Sequence, residues 1–72
     1  MEAERLIGTF EKNQREQVRL YATEYQGAPM IDLRVWAEKD SGEWVRTRKG
    51  ITMSVAHLAE LRMLIDEAED LL

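Results

Sequence analysis

Residues 26–36, Gln26-Gly27-Ala28-Pro29-Met30-Ile31-Asp32-Leu33-Arg34-Val35-Trp36, hold the clearest structural signal in the chain. On an extended backbone Ile31, Leu33 and Val35 point to one side, and Met30, Asp32, Arg34 and Trp36 to the other. That alternation is the mark of a half-buried β-strand. Gln26-Gly27 supplies a turn in front of it. Pro29 has no N–H to donate and is tolerated at a strand start or an edge; here it falls at the start.

Upstream, Val18, Leu20 and Ala22 alternate with Arg19, Tyr21 and Thr23, giving another strand. Residues 5–12 read as the first strand, with Asn13-Gln14-Arg15 as the turn between the two. Downstream, Asp40-Ser41-Gly42 makes a hairpin loop and Trp44–Met53 a fourth strand, in which Gly50 marks a bulge or bend. Connections this short make the four strands an antiparallel meander. Ser54 is a good N-cap, and residues 55–72 are strong helix formers without Gly or Pro, enough for a helix of about 27 Å. The expected fold is α+β: a four-stranded antiparallel meander followed by one C-terminal amphipathic helix.

A chain of 72 residues is one domain, spanning 1–72, with residues 1–4 expected outside its ordered part. At this size only about 60% of the unfolded surface is buried on folding. There is no cysteine for a disulfide, and one histidine leaves no structural zinc site, so oligomerisation is the remaining support. No run of about 18 apolar residues is present, and Met1–Arg5 is too charged for a signal peptide. These features fit a soluble, intracellular protein, cytoplasmic and nucleoid-associated in a prokaryote. The net charge of −4 is unevenly placed. Residues 55–72 hold five acids against Arg62 alone, whereas residues 1–54 hold nine acids and nine bases. The acidic last turn opposes the helix macrodipole.

Two surfaces carry functional expectations. On the helix, Leu58, Leu61, Ile65, Ala68 and Leu72 follow a 3-4-3-4 spacing, and Leu64, Ala68 and Leu71 form a second apolar row. The plain reading is a single stripe facing the protomer's own sheet; the favoured one sets one row on that sheet and the other on a partner helix, as a homodimer. On the sheet, Val18, Leu20, Ile31, Leu33, Val35, Val45 and Ile51 are expected to face the helix. The opposite face then carries Arg19, Tyr21, Tyr25, Arg34, Trp36, Trp44, Arg46 and Arg48, with Lys49 beside them. Bases stack on such rings while the cations follow phosphates, so this face reads as a single-strand nucleic-acid platform. Asp32 and Glu24 count against it, and an ordinary solvated sheet with aromatic cross-strand pairs is the plain alternative. Catalytic candidates are poor. His57 reads as an exposed or rim residue, Ser41 and Ser54 as turn and cap, and there is no glycine-rich phosphate loop. No enzyme activity, cofactor, metal or small-molecule substrate is expected.

The stretch 26–36 resembles the "aromatic-x-Gly-x-x-x-Ile-Asp-Ile-Arg-x-aromatic" signature of the transcriptional positive cofactor four family, with Tyr25 at its first aromatic. Arg48-Lys49-Gly50-Ile51-Thr52-Met53 is similar to its "Arg-Lys-Gly-Ile-Ser-Leu" signature, at the same spacing. The likeness covers residues 17–72 and an acidic-ended helix. It implies helix-mediated dimers that bind single-stranded DNA along curved sheets, and transcriptional coactivation in the eukaryotic members. It also implies a bare binding domain of the bacterial or phage kind. By the resemblance Tyr25 takes the stacking position, Arg34, Arg48 and Lys49 face phosphates, and Trp36 is a family aromatic. Gln26, Ala28 and Val45 stand where lysine is common, and Ala37 where a stacking ring is common; Arg46 and Trp44 are the nearest replacements. The leading expectation is a homodimeric single-stranded-DNA-binding regulator. An RNA binder and a dimeric protein-interaction module with weakened nucleic-acid affinity are the alternatives.

Overall fold

The computed structural model describes residues 4–72; Met1, Glu2 and Ala3, three of the four expected outside the ordered part, lie outside the described residues. Glu4 opens the first strand. Strands β1 (Glu4–Asn13), β2 (Glu16–Tyr25), β3 (Ala28–Glu38) and β4 (Trp44–Ser54) form one sheet in sequence order, every neighbour antiparallel. A 3-10 turn at Val55–His57 leads into helix α1 (Leu58–Leu71).

Local chemistry sets each connection. At β1–β2 the Asn13 carboxamide oxygen accepts from the Arg15 N–H at 3.0 Å, and its nitrogen donates to Glu16 at 2.7 Å. With Lys12 also donating, the Glu16 carboxyl is held below its ordinary pKa. Gln26 and Gly27 both have positive φ, 51° and 81°. This is the left-handed pair that a two-residue hairpin needs to match strand twist. The third hairpin closes with Gly42 N–H on Lys39 O and Lys39 N–H on Glu43 O, both 2.8 Å, and Gly42 takes φ 91°.

The helix begins more tightly than the sequence suggests. The Ser54 hydroxyl accepts from Ala56 N–H at 3.1 Å, as an N-cap does, but the first three residues wind as 3-10 and the α-helix starts at Leu58. Leu72 closes it through its N–H on Ala68 O.

Register assigns the faces, because directly opposed residues share one. Val18/Val35, Leu20/Leu33, Ala22/Ile31, Leu33/Ile51 and Ile31/Met53 pair on the helix side. Leu58, Leu61, Arg62 and Ile65 of α1 and Leu20, Ile31 and Leu33 of the sheet line an apolar groove of about 310 Å³ there. Ile31 is the one hydrophobic residue fully buried among the described residues. The radius of gyration is 13.7 Å, against about 11 Å for a compact chain of this length. A slab of 38 × 38 × 18 Å has its apolar side largely open.

Candidate nucleic-acid interface

The same register gathers the other face. Gln17/Trp36, Arg19/Arg34, Tyr21/Asp32, Trp36/Arg46 and Glu38/Trp44 are opposed pairs, so Arg19, Tyr21, Arg34, Trp36, Trp44 and Arg46 stand together opposite the helix. Glu24 pairs with Pro29 and by alternation falls on the helix side, away from this surface.

Three aromatic rings and one guanidinium form its centre. Tyr21 and Trp36 have ring centroids 5.8 Å apart at 33°, within the range of favourable aromatic pairs. The Arg19 guanidinium carbon lies 4.4 Å from the Trp36 ring centre and 5.7 Å from that of Trp44. Both distances are inside cation–π range. Arg19 Nε also donates to Gln17 Oε1 at 3.1 Å. Tyr21 is a member of this group that sequence reasoning placed on the face without assigning it to the site. Its contact is diagonal across β2 and β3, and no linear motif displays that.

Asp32 holds a second group. Its carboxylate is 1% exposed and accepts from Arg34 Nε and Nη2 (3.1 and 2.9 Å), from Arg46 Nη2 (3.3 Å) and from the Thr52 hydroxyl (2.6 Å). Burial pushes this carboxyl's pKa up, but the hydrogen bonds of Arg34 and Thr52 and the charges of Arg34 and Arg46 outweigh it, and the net shift is downward. Arg34 is 11% exposed and donates onward to Thr47 O at 3.2 Å, so its guanidinium is already spent on the fold. Arg46 is 40% exposed and shares the same carboxylate.

The Arg48-Lys49-Gly50 stretch lies at a bulge, formed by Thr47, Arg48 and Lys49. Arg34 opposes Gly50 and Trp36 opposes Arg46, so three residues of β4 face Val35 alone. The Thr47 hydroxyl pins it, donating to Val35 O at 2.6 Å and accepting from Lys49 N–H at 3.2 Å. Gly50 permits the close approach that follows: a Cβ there would press on the Leu33 carbonyl oxygen and lie 2.7 Å from Arg34 Cα. Arg48 and Lys49 are exposed at the bulge and make no ion pair with a described residue; Lys49 reaches Glu16 only as a field. Tyr25 is separate from the Trp36 cluster. It ends β2 beside the Gln26-Gly27 turn, 58% exposed, with its ring free.

On the helix, Leu58, Leu61 and Ile65 line the groove against the sheet, while Leu61 and Leu64 border a second hollow with Ile51 and Met53. Leu64 (62% exposed), Ala68 and Leu71 (84%) are left exposed by the described residues. His57 is exposed, with Nδ1 3.1 Å from Glu60 Oε1. Among the described residues no group of His, Cys, Asp or Glu could hold a metal ion, and no helix is long and apolar enough to cross a membrane.

Known proteins share this architecture. No curated protein sequence matches the chain significantly. A PC4 homolog from Burkholderia pseudomallei K96243, in its orthorhombic crystal form, superposes with a TM-score of 0.85 at 23% identity, covering 96% of this chain and 93% of that one. The tetragonal form of that protein gives 0.85 at 24%, covering 93% and 98%. A bacteriophage T5 homolog of the eukaryotic transcription coactivator PC4, implicated in recombination-dependent DNA replication, gives 0.63 at 22%, covering 94% and 76%. At these identities the likeness establishes the fold. The sequence model of the family described as Transcriptional Coactivator p15 (PC4) matches residues 12–64, a stretch that takes in both motifs, the bulge and the start of the helix. The chain belongs to the PC4 family.

Proposed function

We propose that this protein is a homodimeric single-stranded-DNA-binding protein that acts as a transcription coactivator or regulator. The observation that carries the reading is the cluster of Trp36, Trp44 and Tyr21 with Arg19 on the sheet face opposite the helix, next to a bulge in β4 where Arg48 and Lys49 are exposed and make no ion pair with a described residue. Tyr25 extends the ring surface toward the Gln26-Gly27 turn. A flexible strand can lay bases on rings and phosphates along cations, whereas the bases of a duplex are already stacked and out of reach.

Dimerisation rests on the open apolar side. A chain with one fully buried hydrophobic residue among those described, and with Leu64 and Leu71 exposed, gains its core from a second copy. Burying such leucines contributes about 1.5–3 kcal/mol each.

A second reading has one observation in its favour. Asp32 cancels an arginine of the outer face, and α1 is strongly acidic, as in a dimeric protein-interaction module with weak nucleic-acid affinity. Competition decides between them. Unlabelled oligothymidine should displace a labelled oligothymidine from the protein at low salt far better than a duplex of equal length. Equal displacement by duplex would reject the single-strand platform, and no binding at all would leave the interaction module. An oligouridine competitor tests RNA directly, since ring stacking does not distinguish the sugars.

A further inference from the structure

We infer that Arg19 is a stand-in for a nucleobase: in the free protein its guanidinium occupies the stacking position on Trp36, and a bound base displaces it onto the phosphate backbone. The inference deepens the single-strand reading above and rests on it.

The free chain leaves Trp36 poorly placed to receive a base. Tyr21 lies against it at 5.8 Å, and the Arg19 guanidinium sits 4.4 Å from its ring centre, reaching from β2 across β3 toward Trp44. Trp36 is half-buried, and its indole Nε1 is covered without a hydrogen-bond acceptor. A planar guanidinium stacks on an aromatic face much as a base does. Two further facts suit a group that moves. Arg19 has no carboxylate partner among the described residues; the outer face's buried acid, Asp32, is taken by Arg34 and Arg46. Its anchor is one hydrogen bond to the neutral Gln17 side chain. Arg34, directly opposite on β3, is by contrast locked to Asp32 by two nitrogens.

A base arriving on Trp36 therefore replaces one stacked plane with another and releases a cation beside the strand's own phosphates. Arg19 thus contributes its charge to binding only when a base fills the position. The chain would refuse a phosphate-only polymer some of the attraction it offers a true nucleic acid.

The test follows Arg19 by NMR through nuclear Overhauser contacts between its side chain and the Trp36 indole. These contacts should be present in the free protein, lost with saturating oligothymidine, and retained with an abasic oligonucleotide of the same length. In parallel, Arg19→Gln should flatten the slope of log K against log salt by roughly 0.7 per protomer for oligothymidine, the loss of one phosphate contact, and leave the abasic slope unchanged. Contacts that persist in the oligothymidine complex, or that are missing in the free protein, would overturn the stand-in while the single-strand reading stood. Absence of any oligothymidine complex at low salt would remove both together.

Discussion

Replacing Gly50 with alanine tests why the Arg-Lys-Gly stretch has its form. The added Cβ would press on the Leu33 carbonyl oxygen and lie 2.7 and 2.9 Å from Arg34 Cα and Cβ. Two of these three atoms are backbone, so no rotamer change relieves the clash. Overpacking usually costs about 1–3 kcal/mol, and a site that must move strand β3 belongs in the upper half of that range, about 2 kcal/mol. A domain of this size has only about 4–11 kcal/mol to lose. The melting temperature should fall by about 8–16 °C, read by circular dichroism at matched protein concentrations because a dimer's melting point depends on concentration. Moving β3 away from Gly50 disturbs its pairing with β4 beside the bulge, so Arg48 and Lys49 would be re-aimed and oligothymidine binding weakened in the surviving folded protein. An alanine variant with the wild-type melting point and affinity would refute the close approach of β4 to β3 and the bulge built on it.

Asp32→Asn removes the buried charge shared by Arg34 and Arg46 and should cost about 3 kcal/mol near neutral pH, measured by urea unfolding. Because the folded-state pKa of Asp32 is depressed, its contribution is complete above the ordinary carboxylate pKa of about 4 and is lost as pH falls below it. Wild type and variant should therefore converge in stability only in acid. Leu64→Glu changes a side chain that is 62% exposed in the single chain, so a stable monomer would tolerate it. In a helix-paired dimer it buries a charge, and sedimentation should show dissociation or unfolding at micromolar concentration. Tyr25→Ala should weaken oligothymidine and oligodeoxyadenosine alike, by about 1–3 kcal/mol, with little change in melting temperature.

The meander was legible because the second and third strands alternate and each turn carries its own chemistry: Asn13, Gln26-Gly27 and Gly42 all sit where the backbone requires them. Helix and apolar face followed from spacing alone. The start of the helix did not, since a 3-10 turn and an α turn draw on the same Ser54 cap. The outer face was legible as a composition and not as a set of partners. Arg34 and Arg48 look equivalent in the sequence, but one is locked onto Asp32 and the other is exposed at a bulge. Asp32 itself reads as a charge opposing nucleic acid; buried beneath two arginines, it is a brace. Such distinctions depend on diagonal contacts between strands, which emerge only when the register is fixed.

The central claim is that phosphates follow the Arg48–Lys49 bulge while bases stack on the ring face. Titrating a labelled oligothymidine across a range of salt concentrations tests it most directly. Arg48, Lys49 and the single net charge left by Arg34 and Arg46 against Asp32 give about three phosphates per protomer, and Arg19 would make four. The slope of log K against log salt should then be about −2 to −3 per protomer. Changing Arg48 and Lys49 together to alanine should flatten it by about 1.4 per protomer while the dimer mass is unchanged. A double variant that keeps the full slope, or a wild-type protein whose binding ignores salt, would contradict the account.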